Sequence, residues 1–134
     1  MATRTPTTAA ARATATAASS GPLTGDDARR LALALPEATE QDHHGRPSFR
    51  VRGRIFATLW GEHHLNVMVD EAGIMTAAQS RPDVCSEVFW GKRLAAVRVD
   101  LRRADAGLVR ELLTDAWERK APAAVRASAE PRRG

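Results

Sequence analysis

Apolar residues recur along this chain in two rhythms. Ala28, Leu31, Ala32 and Leu35 follow the i, i+3, i+4, i+7 spacing of one helical stripe. Ahead of them, Thr24-Gly25-Asp26-Asp27 offers an N-cap at Thr24 and an acid at the third helical position. Pro36 ends the run, which predicts a first helix over about 25–35. The helical rhythm returns more broadly in Leu108, Val109, Leu112, Leu113, Ala116 and Trp117, a last helix that ends before Pro122. Trp117 on that stripe reads as core or as a dimer contact.

Between these helices the period is two. With Val51-Arg52-Gly53 as a three-residue hairpin loop and Gly53 left-handed, Arg50 faces Arg54 and Phe49 faces Ile55. Phe49, Ile55, Ala57 and Leu59 then share an inner face. Ser48, Arg50, Arg54, Phe56, Thr58 and Trp60 share the outer one. Leu65 to Val69 alternates as a third strand. Asp70 caps a second helix to about Ser80, with Ile74, Met75 and Ala78 inward. Val84 to Phe89 and Leu94 to Leu101 are two further strands around a Trp90-Gly91-Lys92-Arg93 turn. The polar stretch 37–47 reads as loop.

The predicted order is α-β-β-β-α-β-β-α. Hairpin connections make the sheet mostly antiparallel, so the class is α+β, a sheet covered by helices. The 134 residues suffice for one such domain, placed at 23–120. Residues 1–22 are rich in Ala and Thr and lack large apolar side chains, and read as a disordered tail; 121–134 read as a second, basic one.

Charge changes this picture less than its total suggests. The net charge is +4, but between residues 25 and 120 fifteen basic residues meet fifteen acidic ones. The excess lies in the tails, so net charge does not argue for a nucleic-acid partner by itself. Local density does: Arg46, Arg50, Arg52 and Arg54 crowd one hairpin, with no acid between Gly45 and Trp60. One cysteine, Cys85, excludes an intrachain disulfide and fits a reducing compartment. No apolar run reaches the length of a membrane span. A cytoplasmic protein with no membrane partner is expected.

The run Gly45-Arg46-Pro47-Ser48-Phe49-Arg50-Val51-Arg52-Gly53-Arg54-Ile55-Phe56-Ala57-Thr58-Leu59 resembles the MmcQ/YjbR-like family of small bacterial proteins. Val69-Asp70 opening the second helix and the late strand before an amphipathic C-terminal helix are similar too. The likeness covers roughly 26–120. It implies an α+β fold like that of secretion chaperones and the family's label of double-wing DNA-binding protein. Two positions depart from the pattern: Arg54 stands where the family usually has lysine, and the aromatic stretch before the fifth strand is reduced to Phe89 and Trp90.

The candidate site follows. Arg46, Arg50, Arg52 and Arg54 on one hairpin, with Lys92 and Arg93 on a second turn, suit a phosphate backbone. Phe56 and Trp60 on the outer face suit stacking on an unpaired base. The same arginines equally suit a charged turn that keeps an edge from pairing, with the aromatics in a protein or dimer contact. The alternative function is therefore a protein-interaction module that uses the outer sheet face. Asp42-His43-His44 and Glu62-His63-His64 repeat a possible ligand pattern without a known metal spacing, and read as surface histidines. Cys85 has no neighbouring histidine, and Ser48 sits in no nucleophile elbow. No enzyme, metal or cofactor is expected.

Overall fold

The computed structural model describes residues 22–129. The expected N-terminal tail lies outside them except for Pro22, as do residues 130–134. Among the described residues there are four helices and six strands: α1 (Gly25–Leu33), β1 (Ala38–His43), β2 (Arg46–Val51), β3 (Arg54–Trp60), β4 (His64–Val67), α2 (Glu71–Ser80), β5 (Cys85–Trp90), β6 (Arg93–Asp100), α3 (Ala106–Lys120) and α4 (Ala123–Ala129). The strands form one antiparallel sheet in the order β1-β2-β3-β4-β6-β5. The α+β class is as the hydrophobic pattern predicts.

Helix α1 starts where its cap requires. Thr24 accepts from the Asp27 backbone while the Asp27 side chain accepts from the Thr24 backbone. Helices α1 and α3 pack over β1–β4, and α2 packs over β5 and β6. All of them enclose one core of Phe49, Val51, Phe56, Leu65, Val97, Val99, Leu113 and their neighbours. Each large side chain buried there contributes about 1.5–3 kcal/mol. Trp117 belongs to this core, with its indole N–H donating to the Pro36 carbonyl at 2.9 Å.

Five expectations are corrected. Residues 38–43 are not loop but the edge strand β1, joined to β2 by His44-Gly45, with both residues at positive φ. The β2–β3 loop has two residues, not three: Arg52 (φ 51°) and Gly53 (φ 82°) leave Val51 in the strand, opposite Arg54. Two consecutive left-handed residues are what the tight primed hairpin turns require. The register also shifts between Phe49 and Arg50. Ala57 pairs with Phe49 and Ile55 with Arg50, which makes Phe56 the extra residue of a bulge. The bulge turns Ile55 outward and Phe56 into the core, where it is fully buried. Lastly, α4 occupies part of the expected C-terminal tail, and its Val125 is buried. In α2 the inward residues are Ile74 and Ala77, while Met75 is exposed.

Strand β4 is short, and this shapes the other face of the sheet. Its rungs reach only from Trp60↔His64 to Ala57↔Val67 on β3, and from His64↔Asp100 to Val67↔Val97 on β6. Residues 54–56 of β3 and 93–96 of β6 therefore run on past its end. The β2–β3 and β5–β6 hairpins project at the same end of the sheet, with a notch between them. Met68 and the last turn of α3 line that notch.

Candidate nucleic-acid interface

A groove of about 850 Å³ runs from this notch along the outer face to the β1–β2 turn. Six cations line it: Arg46, Arg50, Arg54, Arg93, Arg119 and Lys120. No Asp or Glu lines it, and among the described residues none of the six is paired with a carboxylate. The neutral charge total of the domain thus conceals a one-signed surface.

A polar row holds several arginine heads in place. Ser48, Thr58, Asn66 and Arg98 are successive cross-strand partners on β2, β3, β4 and β6. The first three are buried, because larger side chains lie over them. Arg50 donates from Nε to Ser48 Oγ at 3.1 Å, and Ser48 Oγ donates to the Gln41 carbonyl at 2.8 Å. Arg98 donates from Nε to Asn66 Oδ1 at 3.1 Å. Trp60 donates from its indole to Thr58 Oγ1 at 3.1 Å. The Arg46 guanidinium lies 3.7 Å from the Trp60 ring centroid, and that of Arg98 lies 5.3 Å away. Each of these partners is neutral. Among the described residues, each of the two Nε bonds leaves the terminal nitrogens of its guanidinium unengaged.

At the notch, Arg119 donates to the carbonyls of Met68 and Val69 at 3.0 and 3.1 Å, which ties the end of α3 to the chain leaving β4. Lys120 follows it into the groove. Burial, and then the charges of Arg119, Arg54 and Arg93, push its ammonium below the ordinary lysine value. The floor is apolar, formed by Ile55, Met68, Leu94 and Ala95, with Trp90 half-exposed at the rim.

The residues singled out by sequence fare unevenly. Arg46, Arg50, Arg54, Trp60 and Arg93 come together here. Arg52 does not: its Nε and a terminal nitrogen donate to the two Glu37 carboxylate oxygens at 2.5 and 3.3 Å. Lys92 is exposed at the β5–β6 turn, away from the groove lining. Phe56 is withdrawn as a stacking surface, because the bulge buries it. Trp60 presents its ring to two guanidiniums and acts as their platform. Arg119, Lys120 and Trp90 were missed. The cations ending α3 are visible in sequence, but their approach to both hairpins follows from where β4 stops.

The histidine pairs divide. His43 and His44 line the groove, with ring centroids 4.3 Å apart, whereas His63 lies 4.0 Å from the Glu62 carboxylate. No three His, Cys, Asp or Glu side chains gather as a metal site among the described residues. Among those residues no helix is long and apolar enough to cross a membrane.

The crystal structure of Deinococcus radiodurans protein DR2400, a DUF419 domain, aligns with TM-score 0.64 over 78% of this chain and 86% of that one. The two are 22% identical, so the likeness concerns the fold. No curated protein matches the chain. The family model YjbR matches residues 33–119, a span that holds every strand and all of the groove lining except Lys120. The chain belongs to the YjbR family.

Proposed function

We propose that this chain is a binding protein, not a catalyst, and that it holds nucleic acid in the groove between its two hairpins. One observation carries the reading: guanidiniums fixed by serine and tryptophan, Arg50 and Arg46, in a groove lined by no carboxylate, keep their charge for an outside anion. A guanidinium oriented through Nε offers its terminal nitrogens to phosphate at little further ordering cost. Such contacts give affinity and register without reading sequence. The two nucleophile candidates are otherwise engaged. Ser48 Oγ sits between Gln41 and Arg50, and burial pushes the Cys85 thiol up, opposite to activation. The double-wing label implied by the family resemblance agrees with this reading.

The test is fluorescence anisotropy of the full chain with labelled DNA across a salt series. Arg50→Ala/Arg54→Ala/Arg93→Ala is compared with Arg29→Ala/Arg52→Ala. Removing three phosphate contacts lowers the slope of log K against log salt by roughly two to three, while the second variant leaves it unchanged. Equal losses in both variants would refute the groove as the site.

A second reading rests on Phe89 and Trp90, about half-exposed on the edge strand β5. Exposed aromatics at an edge suit a protein partner, and that association would survive high salt.

A further inference from the structure

The geometry points to single-stranded nucleic acid, rather than duplex, as the ligand of this groove. The inference rests on the nucleic-acid reading above and narrows it.

Three observations separate the two ligands. The first is where the unpaired charge lies. A duplex gripped by two projecting hairpins would meet their tips. Yet of the two cations at the tips, Arg52 is neutralised by Glu37, which leaves Lys92 alone there. Six cations without a carboxylate partner among the described residues line the groove instead. The second is size. A groove of about 850 Å³ falls in the range of small-ligand sites. It holds about one or two nucleotides of a strand, far less than a stacked, paired helix fills.

The third is the floor. Ile55, Met68, Leu94 and Ala95 form an apolar strip beneath the cations. A duplex turns its phosphates outward and hides its base faces, so it has nothing to place on that strip. An unpaired strand carries both surfaces that the groove offers to match: phosphate for Arg54, Arg93 and Lys120, and a base face for the strip and for Trp90. The Trp90 ring is half-exposed, with a guanidinium, that of Arg93, 5.4 Å from its centroid. Aromatic stacking combined with a cationic track is how strands are held without sequence preference. Burial, and then repulsion from Arg119, Arg54 and Arg93, lower the Lys120 pKa, and a phosphate entering among these cations offsets the repulsion.

The experiment measures anisotropy of the full chain with a labelled oligothymidine, a duplex of equal length and inorganic polyphosphate as competitor, at one salt concentration. The wild type, Trp90→Ala and Arg54→Ala/Arg93→Ala are compared. Every variant keeps the basic termini, so the differences report on the groove. Trp90 is exposed, so its removal spares the fold, which thermal melting verifies.

The single strand is expected to bind at least tenfold tighter than the duplex. Trp90→Ala should lose about tenfold for the strand, in line with one stacked base, and leave polyphosphate competition unchanged. The double arginine variant should weaken both. Duplex binding as tight as strand binding would overturn this inference and leave the nucleic-acid reading standing. So would a Trp90→Ala loss equal for strand and polyphosphate. No binding to either nucleic acid would overturn the nucleic-acid reading itself.

Discussion

Where α1 meets β1, Arg29 donates to both carboxylate oxygens of Glu40, and Arg52 to both of Glu37. On the opposite face of the sheet, Arg50 and Arg98 are held by Ser48 and Asn66, and Arg46 lies on Trp60. The two groups are chemically the same and similarly well oriented. They differ in whether the partner cancels the charge. Strand alternation arranges this on β1. Glu40 lies opposite Phe49 on the helix side, and Thr39 and Gln41 lie opposite Arg50 and Ser48 on the groove side. A count of charges cannot see such a division. For the proposed function, what matters is the number of cations whose partners are neutral.

Four changes break or sharpen this contrast. The largest concerns the bulge that decides which neighbour faces the groove. Phe56→Ala should cost about 3–5 kcal/mol in urea unfolding, whereas Ile55→Ala, on the groove side, should cost much less and leave the fold intact. If the two costs were equal, the bulged register would be wrong.

Next comes converting one kind of arginine into the other. Thr39 is the exposed cross-strand partner of Arg50. Thr39→Glu brings a carboxylate beside that guanidinium and should weaken nucleic-acid binding about fivefold to tenfold, with little change in stability. The reciprocal Glu37→Gln frees Arg52 at the hairpin tip. Because Arg52 is not part of the groove lining, single-strand affinity should stay within about twofold of wild type by anisotropy. A loss there as large as that of Thr39→Glu would show that the contrast has no bearing on binding.

The smallest effect is in pH. Lys120 is held below the ordinary lysine value in the fold, by burial and by Arg119, Arg54 and Arg93. Its charged form is therefore disfavoured on folding. Stability should rise modestly as pH climbs through the lowered value toward the unfolded value near 10.5, where the folded state has already released the proton. Urea melts of Lys120→Met should lack that rise. An identical alkaline profile in the variant would place Lys120 away from the cation cluster.

Much of the scaffold was legible because the residues that make it act locally. The Thr24–Asp27 cap, the stripe from Leu108 to Trp117 and the left-handed Gly53 are each decided within a few positions. Strand β1 escaped because its alternation is of charge. Thr39 and Gln41 alternate with Glu40 and Asp42, and an apolar rhythm does not register it. The facing of Ile55 and Phe56 escaped because a bulge reverses the alternation without altering either residue. The groove was half legible. Arg46, Arg50 and Arg54 crowd a single hairpin, but Arg119 and Lys120 lie more than sixty residues downstream and join them only through tertiary packing.

The shortness of β4 also bears on how this architecture can vary. The groove exists because two hairpins outrun the strand between them. Its depth is therefore set at the hairpin tips, which touch little of the core. Adding or removing two residues in each arm of a hairpin preserves which side chains face in and which face out. Relatives built on this sheet can thus acquire deeper or shallower slots by small length changes at positions 52–53 or 91–92, while the strands that carry the fold keep their pairing. The groove can evolve separately from the stability that supports it.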